Sequence, residues 1–96
     1  MTEPMSGAGL DEAQSRIGRA ALGLSEDDLA VAAGVPLRDI LSLESGGTIA
    51  PGTALKVAAA FERAGVSFHT GADGRAFMRV RTLDGIIEAP VTFSKR

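Results

Sequence analysis

The sequence predicts a mainly α fold, in which four short helices over residues 10–65 are followed by a C-terminal β-hairpin or small sheet over 66–96. Three observations carry that reading. Apolar residues recur at helical spacing as far as Ala64 and then alternate with polar ones from Val66 onward, a change from the helix period to the strand period. Glycines at 23, 34, 46 and 65 stand where each helical run stops, and small polar residues or prolines stand near the start of the next. Gly71-Ala72-Asp73-Gly74 is a turn-forming string between two alternating runs.

Met1 to Gly9 holds Pro4, Ser6, Gly7 and Gly9 without apolar period and is expected to be a flexible leader. Leu10, Ala13, Ile17, Ala20, Ala21 and Leu24 mark the apolar face of a first helix, with Asp11 placed to cap its start and Gly23 to stop it. Ser25, followed by Glu26, Asp27 and Asp28, opens a second helix. Its hydroxyl can accept from the free N–H groups of the first turn, and carboxylates favour the positive end of the helix dipole. This helix runs through Leu29, Ala30, Ala32 and Ala33 to Gly34.

Pro36 suits the first position of a third helix, where its missing N–H costs nothing, and Leu37, Ile40, Leu43 and Glu44 carry that helix to Gly46 and Gly47. Thr53 is a candidate cap for a fourth, with Leu55, Val57, Ala58, Phe61 and Ala64 as its apolar face. Val66, Phe68 and Thr70 then alternate with Ser67 and His69, and Met78, Val80 and Thr82 with Arg79 and Arg81. Ile86, Ile87, Val91 and Phe93 supply a further strand, in which Pro90 favours an edge position.

At 96 residues, with 45% hydrophobic and 23% charged side chains, the composition is that of one folded domain with a small core. A symmetric partner would add buried apolar area that so short a chain lacks, which favours a homodimer. The absence of cysteine and the single histidine exclude disulfides, thiolate zinc sites and cysteine nucleophiles, so no metal or cofactor is expected and His69 is read as a surface strand residue. No phosphate loop, serine triad or paired-carboxylate pocket can be built from these residues, and no enzyme activity is expected. Apolar runs are short and the N-terminus has no basic stretch, so a cytoplasmic protein without a membrane partner is expected.

The net charge of -2 is unevenly spread. Residues 1–45 set eight acids against Arg16, Arg19 and Arg38, whereas residues 46–96 hold seven bases against four acids. Phosphate binding draws on Lys and Arg, so the acidic half is the less favourable one for nucleic acid.

Two short helices joined by a tight glycine turn form the arrangement that lets one helix lie in the DNA major groove while the other braces it. The string Leu22-Gly23-Leu24-Ser25, then Leu29-Ala30, Ala33-Gly34-Val35, Ile40, Leu43-Glu44 and Gly46, with Pro51 and Leu55 beyond, resembles the Cro and phage-repressor-like family of helix-turn-helix regulators, also called the xenobiotic-response-element family. The resemblance covers residues 10–65 and implies a four-helix lambda-repressor-like domain. It also implies sequence-specific binding to double-stranded DNA as a dimeric repressor, nucleoid-associated when bound, with 66–96 as the dimerisation element.

Carried over from that family, the residues that meet base edges are Leu37, Arg38, Ser42 and Ser45. The Arg38 fork can bond guanine O6 and N7 together, and Leu37 can meet a thymine methyl. Contacts to the DNA backbone fall to Arg16, Ser25, Thr48 and Lys56, and Arg19 and Glu44 match positions that form a structural ion pair. Two positions depart from the family. Glu26 stands where a phosphate-binding Gln is usual, and the loop Gly46-Gly47-Thr48-Ile49-Ala50 carries no charge. Both leave open an antitoxin or a protein-interaction module with the same fold and weak DNA binding. Leu41 is either core or an exposed apolar surface for a protein partner.

Overall fold

The computed structural model describes residues 3–4 and 10–91, so most of the expected leader over 1–9, and Phe93, Lys95 and Arg96 of the tail, lie outside the described residues. The elements run β1 (Glu3–Pro4), α1 (Glu12–Leu22), α2 (Glu26–Ala33), α3 (Leu37–Glu44), α4 (Pro51–Arg63), β2 (Val66–Thr70), β3 (Ala76–Thr82) and β4 (Gly85–Pro90). Four helices are thus followed by an antiparallel sheet in which β2, β3 and β4 lie side by side in chain order. β1 adds to the other side of β2, with Glu3 opposite Thr70 and Pro4 opposite His69. Those two residues, expected within a leader, are therefore a short strand, because the outer edge of β2 offers them backbone partners.

Local chemistry sets the helix ends. The Asp11 carboxylate accepts from the Gln14 N–H at 2.9 Å while Gln14 Oε1 accepts from the Asp11 N–H at 2.9 Å. Ser25 and Asp28 repeat the reciprocal cap at the start of α2, at 3.0 and 3.1 Å. Gly34 ends α2 at φ 70, a left-handed conformation that a side chain would oppose, and this reversal aims the chain into α3. Pro36 is still extended at ψ 145, so α3 begins at Leu37, one residue later than the sequence suggests. The fourth helix begins earlier than expected, since Pro51 takes its first turn and no side chain caps it; Thr53 lies inside the helix.

Leu29, Ala30 and Ala33 of α2, Ile40 and Leu43 of α3, and Val57, Ala60 and Phe61 of α4 meet Val66, Phe68 and Met78 from one face of the sheet. The Phe61 and Phe68 rings meet edge to face, 5.7 Å apart at 88°, which joins the helical layer to the strands. Several helical faces are rotated from their expected phase. On α1, Ala20 and Ala21 are exposed and Gln14, Ser15 and Gly18 are buried, because α1 docks on α3 through polar groups rather than an alanine stripe. Ala32 on α2, Leu55 on α4 and Ala64 just beyond its end also face solvent; Val57 and Phe61, four residues apart, set the phase of α4 and turn Leu55 outward.

His69 is buried, not a surface residue. It stacks on Phe77, opposite it on β3, with ring centres 5.3 Å apart, and its Nε2 lies 2.7 Å from Ser67 Oγ. Phe68 is buried toward the helices, so β2 is covered on both faces.

At Gly18, α1 packs directly against the Phe61 ring. A Cβ there would lie 2.7 Å from Phe61 Cε1 and 2.9 Å from its Cζ, and Phe61 is 1% exposed and held by its neighbours. Gly18→Ala should therefore lower stability in urea melts by about 1–2 kcal/mol, the clash outweighing the roughly 1 kcal/mol that alanine gains as a helix former. A more stable variant would show that the ring moves aside at little cost.

Candidate functional site

The site is organised around Glu44, the last residue of α3, whose side chain is 3% exposed. Arg19 grips it with two parallel bonds, Nε to Oε2 at 2.8 Å and Nη2 to Oε1 at 2.7 Å. Ser15, one turn earlier on α1, donates to Oε2 at 2.6 Å. Arg16 donates from Nη2 to the Glu44 carbonyl and stands 4.0 Å from Oε1 through Nε. Arg19 also donates to the Leu24 carbonyl at 3.1 Å, which ties the α1–α2 turn to the same guanidinium.

Burial by itself would raise the Glu44 pKa. The hydrogen bonds from Arg19 and Ser15 and the charges of Arg19 and Arg16 outweigh it, and hold the carboxyl below its ordinary value. The bond to Glu44 raises the Arg19 pKa against a smaller opposing effect of burial, with Glu44 and Glu26 adding their charges, so the pair stays ionised.

Because its inner side is fastened in this way, α3 turns its other side outward. Arg16, Glu26, Arg38, Leu41, Ser42, Glu44 and Ser45 line an open cleft of about 460 Å³ between α1, the start of α2 and α3. Of the residues assigned to base edges, Arg38, Ser42 and Ser45 line this cleft, and Leu37 lies on the same helix, 37% exposed. Ser45 is exposed, and its Oγ donates to the Ser42 carbonyl at 3.1 Å. Arg38 is exposed and makes no ion pair among the described residues.

The residues assigned to the DNA backbone are more scattered. Arg16 lines the cleft with its guanidinium turned toward Glu44, and Ser25 is occupied in capping α2. Thr48 is exposed in the α3–α4 loop and Lys56 is exposed on α4, both outside the cleft wall.

Sequence reasoning missed Ser15, and it left Leu41 open between core and exposed surface. Ser15 and Arg19 are four residues apart, on one helix face, and that spacing was the available signal. Leu41 is 45% exposed and borders the cleft, so it is not core.

On the far side of the sheet, Arg79 pairs with Glu88 at 2.7 Å and lies 5.4 Å above the Phe77 ring. Arg81 and Arg75 are exposed beside it. Among the described residues no group of three or more potential metal ligands comes together, and no helix is long and apolar enough to cross a membrane. Comparison with protein-family models, with curated protein sequences and with solved structures returns no match for this chain.

Two measurements test the Glu44 cluster. Arg19→Ala strands a buried carboxylate and should cost about 3 kcal/mol, the low end for a broken buried pair because Ser15 and Arg16 remain. A double-mutant cycle with Glu44→Ala should then show strong coupling, and independent effects would dissolve the pair. The carboxyl is more acidic folded than unfolded, so its contribution is complete above its unfolded pKa of about 4.3 and is lost as pH falls through the lower folded value. Thermal melts below pH 5 should accordingly fall less steeply for Glu44→Gln than for the wild type.

Proposed function

We propose that this chain is a sequence-specific DNA-binding regulator of the Cro and phage-repressor-like helix-turn-helix kind, acting as a dimeric repressor in the cytoplasm with α3 as its reading helix. The observation that carries the proposal is the division of labour on α3: Ile40, Leu43 and Glu44 are buried, while Leu37, Arg38, Leu41 and Ser45 are exposed. A rigid helix with a free, partly polar face beside a short bracing helix is what major-groove reading requires.

In this reading Arg38 bonds a guanine edge with its forked donors, Leu37 meets a thymine methyl, and Ser42 and Ser45 take base or phosphate contacts. Arg16, Ser25, Thr48 and Lys56 fasten the backbone. Glu26, the acid that argues against phosphate contact, lies close enough to Arg19 for its charge to favour the protonated guanidinium. A second reading, an antitoxin or protein-interaction module, is favoured by one observation: Glu26 and the exposed Leu41 share the cleft with Arg38, an apolar and acidic lining that a protein partner would also fit.

Binding across single-base variants of the selected site, at two salt concentrations, separates the readings. Arg38→Ala should cost about 1–3 kcal/mol on the preferred site and relax preference at one position per half-site. Lys56→Ala should weaken all sequences alike and lower the salt slope. An unchanged preference profile for Arg38→Ala would remove it from base reading, and an absence of any salt-sensitive binding would favour the interaction module.

A further inference from the structure

The sheet ends in a strand whose outer side has no partner among the described residues. β1 covers the Thr70 and His69 end of the outer edge of β2, while β4 pairs only with β3. The direction of its backbone groups follows from one bond. The Val91 N–H donates to the Ala76 carbonyl at 3.1 Å, directly across the register that sets Phe77 opposite Pro90. Alternation from that pair turns the N–H and C=O groups of Gly85, Ile87 and Ala89 toward β3, and those of Ile86 and Glu88 outward. Pro90 also faces outward and has no N–H to give.

The side chains at this edge are apolar on both faces. Ile86 is 66% exposed and Ile87 58% exposed, and Ile87 lies opposite Val80, which packs against the core. An exposed edge with adjacent isoleucines and unused backbone donors invites another strand.

We infer that the occupant is a second copy of this chain, its β4 pairing antiparallel with the first β4 about a two-fold axis at Ile87. Backbone parity allows three nearby registers. Centring on Ile86 sets Glu88 opposite the acidic Asp84 of the other copy. Centring on Glu88 sets two glutamates face to face and wastes a partner on Pro90. Like charges directly opposite are unfavourable, and a missing donor removes a ladder bond.

Centring on Ile87 avoids both like-charge pairs and places Pro90 opposite Asp84, which lies in the β3–β4 turn beyond the end of the strand. Ile86 and Glu88 exchange backbone bonds with their counterparts, and the core-side face gains an unbroken row of Val80 and Ile87 from each copy. On the outer face the row runs from Arg81 across Ile86 to Glu88 of the other copy, opposite charges flanking an apolar side chain. The inference gives the proposed dimer its seam but rests on nothing about DNA, and its test uses none.

The chain has no cysteine, so single cysteines report the register cleanly. At a two-fold axis the paired positions in question sit in a non-hydrogen-bonded pair with Cβ atoms about 4.5 Å apart, close enough to bridge, whereas position 86 meets its own counterpart only diagonally at about 7–8 Å. Under mild oxidation Ile87→Cys should run as a covalent dimer on a non-reducing gel and Ile86→Cys as a monomer. Ile87→Lys, at a half-exposed position that leaves the protomer folded, should weaken self-association in sedimentation by about tenfold or more, with its far-ultraviolet circular dichroism unchanged. A wild-type protein that sediments as a monomer, equal crosslinking at both positions, or an undiminished Ile87→Lys dimer would each overturn the inference.

Discussion

A carboxylate nearly shut off from water decides how this small protein is arranged. Leaving Glu44 charged at 2% exposure would cost several kcal/mol without compensation, and the compensation comes almost entirely from α1. Ser15 and its neighbour Arg16, with Arg19 one turn further along the same helix, converge on one residue. α1 therefore presents a polar face inward and leaves Ala20 and Ala21 outside. α3 is held at its C-terminal end by charge and along its length by Ile40 and Leu43, which leaves it one free face. The cleft beside Arg38 follows from that constraint.

How much of this was legible in the sequence depends on the range of the interaction involved. Helix starts and stops are local: Asp11 with Gln14, Ser25 with Asp28, and the left-handed Gly23 and Gly34 act within a few residues, and the sequence signals them directly. Where two local signals competed, as Pro51 and Thr53 do at α4, the proline won because it pre-sets the backbone and needs no partner. The change of period at Val66 marks the strands, since alternation reflects a pleated surface with one side on the core.

Faces set by distant partners were harder to read. Nothing within α1 says that Gly18 must admit the Phe61 ring, or that a serine belongs inside. The burial of His69 depends on Phe77 arriving opposite it across a hairpin, and an alternating pattern assigns a strand's two faces without saying that both are covered. The candidate site was legible in its parts: Arg38, Ser42 and Ser45 share the cleft, while the inward turn of Arg16 and the exposure of Leu41 emerge only when α1 and α3 are set side by side.

The position of β1 bears on how the chain reaches its folded state. The helices succeed one another in sequence, and β2, β3 and β4 pair with immediate neighbours, so nearly all of the structure can form by closing short loops. β1 is the exception. Glu3 and Pro4 precede every helix in the chain, yet their partners Thr70 and His69 follow the last one. Their pairing must therefore come late in assembly, and until it does, the backbone of Thr70 and His69 stays open on that side of the growing sheet.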